Sequence, residues 1–203
     1  MIKETIGKLL NFDFSDVEIV ESNNVFAKVE EGKKFAGGAD NAQLSRALML
    51  LAKNNNLGDF EISQTPQFNS CGIMLDVSRN GVMRVDAVCE YISHMAALGL
   101  NLLMLYAEDV FEMEDYPYFG YLRGSYSVDE LREIDDFAFS LGVEVVPCVQ
   151  TLGHMTEYLK WSAADSVRDT AHTLMCGEEA TYKLIESIVK TMRSAFRSNR
   201  IHI

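Results

Sequence analysis

Leu100-Asn101-Leu102-Leu103-Met104-Leu105-Tyr106 is a nearly continuous apolar run of strand length. A parallel strand covered on both faces has this composition, whereas a strand with one wet face alternates apolar and polar residues. Just ahead of it, Val85, Val88, Ile92, Met95 and Ala96 fall on one face of a helix over Val85–Leu98, and Gly99 ends that helix. Further upstream, Gly72–Val77 reads as another buried strand. Downstream the alternation continues. Ser127 caps a helix over Val128–Leu141 with Glu130 as the reciprocal half of a capping box, and Gly142 closes it. Val143–Val149 is the third strand, Glu178–Phe196 the third helix, and Arg200–Ile203 begins a fourth strand. Strands and helices in strict alternation imply right-handed parallel units.

Two architectures use that order, the doubly wound sheet and the eight-stranded barrel. No glycine-rich nucleotide fingerprint follows any of these strands. Polar residues collect instead in two long loops after strand ends, Ala107–Ser125 and Thr151–Gly177, where barrels build their active sites. The expected fold class is therefore α/β, with residues 71–203 forming the first half of a TIM (β/α)8 barrel: four strands and three helices. Residues 1–68 read as a small α+β N-terminal domain. Its strands are Val17–Val20, Val25–Val29, Lys33–Ala36 and Phe60–Ser63, and its helix is Asn41–Lys53, capped by Asp40. Pro66 to Ser70 is the linker.

The chain has 203 residues and a net charge of −12, an acidity that repels nucleic acid and anionic membranes and excludes both as main partners. No apolar run of about 18 residues occurs that could cross a bilayer. Met1-Ile2-Lys3-Glu4 carries an acid early, and no secretory leader is expected there, which points to the cytoplasm. Cys71, Cys89, Cys148 and Cys176 lie far apart and read as reduced, buried thiols of a cytosolic protein rather than metal ligands. Neither metal nor organic cofactor is expected. Half a barrel would leave parallel edges unpaired, so self-association through those edges is also expected.

Gly72-Ile73-Met74-Leu75-Asp76-Val77-Ser78-Arg79-Asn80 is similar to the opening strand of the glycoside hydrolase family 20 barrel. There a Gly-x-x-Leu-Asp-x-x-Arg pattern ends on a sugar-binding arginine. Ala97-Leu98-Gly99-Leu100-Asn101 resembles the family's helix-to-strand turn, and Ala107-Glu108-Asp109 stands where it carries two acids at the end of the second strand. Tyr126-Ser127 followed by Glu130-Leu131 resembles its helix start, and Thr151-Leu152-Gly153-His154 stands at its Gly-His element after the third strand. The aromatic stretch from Tyr116 to Gly124 looks like a bacterial branch of the same family. Two features depart from the pattern. Leu103–Tyr106 lacks the histidine and tryptophan more usual ahead of the acids, and the sequence closes at Arg200-Ile201-His202-Ile203, where family members continue into Gly-x-Asp-Glu.

The resemblance implies a β-N-acetylhexosaminidase. Such an enzyme removes terminal β-linked N-acetylhexosamine with retention, using the substrate's own acetamido oxygen as nucleophile. The glutamate of Gly-x-Asp-Glu would be the general acid, and the aspartate would orient the acetamido group. Neither acid is among these residues, so no catalytic residue is expected within this chain, and the chain alone is expected to be an inactive, truncated portion of the enzyme. Three residues would bind substrate by the same resemblance: Arg79, through the paired donors of its guanidinium, Asp109 and His154. Glu108 and His154 would form a supporting shell, facing each other from neighbouring strand ends so that the carboxylate fixes the imidazole tautomer. The alternatives are plainer: Arg79 paired with Asp76, Asp109 as a loop-capping carboxylate, and a structural His154. Arg123 and Tyr126 would line the rim or pack within their loop, and Trp161 would stack on a sugar or join a helical core. The run Glu108-Asp109, Glu112, Glu114-Asp115 reads as a solvated loop. The implied partner is a small-molecule amino sugar or oligosaccharide, and the alternative function is a non-catalytic amino-sugar-binding protein.

Overall fold

The computed structural model describes residues 1–203 except Asn80, so the last residue of the quoted Gly72–Asn80 stretch lies outside the described residues. The chain divides into two compact units. One comprises Met1–Ile73, Asp86–Leu103 and Asp136–Glu144; the other comprises Met74–Val85, Met104–Asp135 and Val145–Ile203.

The first unit opens with α1 (Ile2–Leu10), followed by β1 (Val17–Val20), β2 (Val25–Glu30), β3 (Lys33–Gly37), α2 (Asn41–Asn54) and β4 (Phe60–Gln64). The four strands form one sheet in the order β1-β3-β2-β4. β1 runs parallel to β3, and β2 is antiparallel to both of its neighbours. Asp40 caps α2 as expected, its carboxylate accepting from the Gln43 N–H at 2.8 Å. The core gathers Ile6, Phe14, Val17, Val25, Ala27, Ala36, Leu48 and Leu51. The helix α1 is an addition to the expected elements. Ile2, Ile6 and Leu9 repeat at helical spacing, Ile6 is fully buried, and Asn11 ends the helix in a left-handed conformation.

The remaining elements are β5 (Gly72–Asp76), α3 (Val85–Leu98), β6 (Leu102–Ala107), α4 (Val128–Ser140), β7 (Glu144–Val149), the short α5 (Thr156–Leu159), a 3-10 turn over Ser162–Val167, and α6 (Glu179–Ala195). β5, β6 and β7 lie in that order in a second sheet. Hydrogen bonds at both ends of the strands give their sense. At the entry ends the Asn101 N–H donates to the Cys71 carbonyl at 2.9 Å and the Glu144 N–H to the Asn101 carbonyl at 3.0 Å; at the exit ends the Val77 N–H donates to the Tyr106 carbonyl at 3.1 Å. All three strands therefore run the same way, and the loops after their C-terminal ends fall in the second unit. The capping box at α4 is made: Glu130 accepts from the Ser127 N–H at 2.8 Å, and the Ser127 hydroxyl accepts from the Glu130 N–H at 3.2 Å.

Three expectations need correction. The strand at Gly72–Val77 was expected to be buried, but β5 alternates exposed and half-buried residues because it is an edge of its sheet. The fourth strand, Arg200–Ile203, is a single parallel bridge between Cys148 and His202. The Arg200 N–H is turned to the Ser198 hydroxyl at 3.1 Å and so does not enter the ladder. The thiols are free, but of the four only Cys148 is buried; Cys71 and Cys176 are exposed.

Candidate functional site

The turn leaving β5 is organised by one carboxylate. Asp76 Oδ1 accepts from the backbone N–H groups of Ser78 at 2.8 Å and Arg79 at 3.2 Å, and its Oδ2 takes Arg79 Nη1 at 3.1 Å. Arg79 Nη2 donates to the Tyr106 hydroxyl at 3.2 Å, and the guanidinium lies over the Tyr106 ring at 5.0 Å. The same nitrogen stands 3.6 Å from Glu108 Oε1. Tyr106 in turn donates to that Glu108 oxygen at 3.0 Å. Burial, then the neighbouring Glu108, pushes the phenol up to about 12, so it stays neutral and keeps its proton for the carboxylate. The Arg79 side chain remains 56% exposed in this setting. Pairing with Asp76 and availability to a ligand thus coexist.

Ser78, fully buried, joins the ends of β5 and β6. Its hydroxyl accepts from the Glu108 N–H at 2.7 Å, and its carbonyl accepts from Arg123 Nη2. Arg123 Nη1 stands 3.4 Å from Asp109 Oδ1 and 3.6 Å from Glu157 Oε2. Asp109 is only 2% exposed, and its Oδ1 accepts no hydrogen bond among the described residues. Burial pushes its carboxyl above the ordinary range, with Arg123 opposing that shift. Glu157 is held below the ordinary range, first by a hydrogen bond from Lys160 at 2.6 Å. Gly120 closes on this group with a positive φ of 73°, and a Cβ there would sit 2.7 Å from the Asp109 carbonyl oxygen. The acidic run is therefore not a uniformly solvated loop: Glu112, Glu114 and Asp115 are exposed, while Asp109 is buried against a cation.

The structure does not bring Glu108 and His154 together. The carboxylate of Glu108 is occupied by Tyr106 and Arg79, whereas His154 is exposed, at a left-handed φ of 54°, and bonds to neither acid among the described residues. Tyr126 is buried, and its hydroxyl donates to the Met83 carbonyl, so it packs the loop instead of forming a rim. Trp161 is half-buried, edge-on to Tyr121 at 5.2 Å and 6.0 Å from Tyr118. His202 Nδ1 lies 3.1 Å from Cys148 Sγ, and burial pushes that thiol up, which favours the protonated sulfur over a thiolate.

Residues 68–203 match the family described as Glycosyl hydrolase family 20, catalytic domain. The chain belongs to glycosyl hydrolase family 20. Hexosaminidase D of Bos taurus is 36% identical over 114 residues, 52% of this chain and 32% of that protein. Hexosaminidase D of Homo sapiens is 37% identical over 91 residues, 42% of this chain and 18% of that protein. The chain thus spans a third or less of the length of these two relatives. Among solved family 20 structures, an exo-β-N-acetylglucosaminidase from Vibrio harveyi in complex with N-acetylglucosamine superimposes with a TM-score of 0.80 at 18% identity, covering 100% of this chain and 40% of that one. The β-N-acetylhexosaminidase of Streptomyces coelicolor A3(2) gives 0.80 at 18% identity, covering 100% of this chain and 52% of that one. The α/β barrel expected from the strand order, given its family by the motif resemblance, is therefore the fold of which this chain shares a portion.

Within that family 20 frame, three participants were not singled out from the sequence: Ser78, Tyr106 and Glu157. Ser78 lay inside the quoted motif, but nothing in a serine between valine and arginine announces a buried hydroxyl. Tyr106 was legible only as the end of an apolar strand. Arg123 was noted for its loop, without its acidic partners.

Proposed function

We propose that this chain is the amino-terminal portion of a β-N-acetylhexosaminidase, a glycoside hydrolase that removes terminal β-linked N-acetylhexosamine by substrate-assisted, retaining hydrolysis. The observation that carries the reading is Arg79. It stands at the C-terminal end of β5, tethered by Asp76 and Tyr106 yet more than half exposed, with guanidinium donors left over for ring hydroxyls. Asp109 and His154 complete the proposed substrate side, with Glu108 supporting Arg79 through Tyr106. We place the general acid and the acetamido-orienting aspartate in sequence that follows Ile203 in the complete enzyme, where the glutamate would need a raised pKa to hold its proton. The substrate is a neutral amino sugar or oligosaccharide. Two exposed free thiols, Cys71 and Cys176, favour a reducing, cytoplasmic setting. The unpaired side of β5 is the proposed route of self-association, which a monomeric mass at high concentration would refute.

The deciding experiment is hydrolysis of a chromogenic β-N-acetylglucosaminide by this chain and by a version extended through the rest of a barrel. Activity in the extended protein alone is the expected result. Activity in neither would leave amino-sugar binding without hydrolysis, and activity in the short chain would move the chemistry onto its own carboxylates.

A further inference from the structure

We propose that Arg123 is the positioning residue of this site, a clasp that holds the buried Asp109 carboxylate and the Ser78–Arg79 peptide in one arrangement. Its consequence at the sugar rests on the hexosaminidase reading; the clasp itself rests on contacts alone. The guanidinium reaches three segments at once: Nη2 to the Ser78 carbonyl in the turn after β5, and Nη1 toward Asp109 at the end of β6 and Glu157 in α5. The planar guanidinium spreads its donors over separate nitrogens and so reaches divergent acceptors in a fixed geometry, whereas a lysine gathers its three donors on one nitrogen.

Each contact has a mechanical effect. The Ser78 carbonyl belongs to the peptide that joins Ser78 to Arg79, so fixing its direction fixes the backbone from which Arg79 projects. The Ser78 hydroxyl already holds the Glu108 N–H at 2.7 Å, so the strand end bearing Glu108 and Asp109 is tied to the same point. Asp109 is 2% exposed, and Arg123 is itself only 16% exposed at the side chain. The charged side chains facing Asp109 are Glu108 from its own strand end, Glu157 from α5 and Arg123 from the loop after β6. Lys160 is turned to Glu157 at 2.6 Å. Burial and two carboxylates therefore oppose a charge on Asp109, and of the side chains Arg123 alone favours it. Removing Arg123 would leave a buried acid among acids and release the Ser78–Arg79 peptide.

The test uses the 203-residue chain with Arg123→Gln and Arg123→Lys. Carbon-detected NMR follows the Asp109 carboxyl through a pH titration, and the same samples are titrated with N-acetylglucosamine. The expected result is an upward movement of the Asp109 titration in Arg123→Gln and a smaller one in Arg123→Lys, with sugar affinity several-fold weaker in Arg123→Gln. An Asp109 titration unmoved by Arg123→Gln overturns the clasp. If Arg123→Gln does not fold at neutral pH, recovery of the fold in Arg123→Gln with Asp109→Asn supports it, because the stranded charge was then the cause; no recovery overturns it. Should the parent chain fail to bind the sugar at all, the hexosaminidase reading is what suffers, and the carboxyl titration still decides the clasp.

Discussion

Gly72 opens β5, the strand that delivers Arg79, and a single methyl group there should be costly. A Cβ on Gly72 would lie 1.8 Å from the Leu102 carbonyl oxygen and 2.6 Å from both the carbonyl carbon and the Cβ of Leu102. Carbon and oxygen that are not bonded approach to about 3.3 Å, so the two strands would have to part by about 1.5 Å. The bonds flanking this residue cannot follow that movement: the Asn101 N–H donates to the Cys71 carbonyl at 2.9 Å, and the Cys71 N–H to Asn101 Oδ1 at 2.8 Å. Two hydrogen bonds at about 0.5–1.5 kcal/mol each, with about 1–3 kcal/mol of overpacking strain, place Gly72→Ala about 2–6 kcal/mol below the parent. For a chain of this size that corresponds to roughly 5–20 °C in Tm. Gly153→Ala is the control, since a Cβ there meets nothing within 4 Å and its φ is not positive. Urea and thermal unfolding of both variants would measure the difference. If Gly72→Ala unfolds within about 0.5 kcal/mol of the control, the close approach of β5 and β6 is not as described here, and the reasoning fails.

Three further outcomes are expected. Ser78→Ala leaves the partly buried Glu108 N–H without its acceptor and should lower stability by about 1–2 kcal/mol, read as a drop in the urea midpoint with unchanged m-value. Asp109→Asn tests pH dependence. Because burial raises the folded pKa of Asp109 above its unfolded value, its stabilising contribution is fully present below the ordinary carboxylate range and is lost as pH rises through the raised value. The Asn variant should therefore gain on the parent as pH rises toward neutrality; urea midpoints whose difference is flat across that window would contradict this. Tyr106→Phe keeps the ring beneath Arg79 but removes the hydroxyl between Arg79 and Glu108. Calorimetry should show N-acetylglucosamine affinity weakened by about 2- to 10-fold, the equivalent of one hydrogen bond of about 0.5–1.5 kcal/mol.

The elements that announce themselves in this sequence are those whose burial follows a period. The face of α3, the capping box of α4 and the apolar run of β6 were each legible because local spacing and tertiary burial agree. The helix α1 carried the same spacing in Ile2, Ile6 and Leu9 and was passed over beside the charged start of the chain. β5 looked buried because Ile73, Leu75 and Val77 are apolar, but an edge strand keeps such residues without covering both faces. The site was legible in part. Arg79 and Asp109 could be named from the resemblance, but their partners could not, because Asp76, Tyr106, Ser78 and Arg123 converge through turns and strand ends that no fixed spacing encodes. The Glu108–His154 pair was expected from their positions at strand ends, and the nearer phenol of Tyr106 took the carboxylate instead.

The phenol of Tyr106 has one proton and sits between a group that can only give hydrogen bonds and one that, while ionised, can only take them. Arg79 fills its lone pair and Glu108 receives its proton, so the hydroxyl has a single rotational setting. A long, half-exposed arginine would ordinarily sample many rotamers and lose that freedom on meeting a ligand. Here Asp76 and Tyr106 arrest the guanidinium in the unliganded chain, and the loss of side-chain entropy belongs to folding rather than to binding. Any ligand arriving at Arg79 would therefore meet a donor already held in place by Asp76 and, through one shared proton, by Glu108.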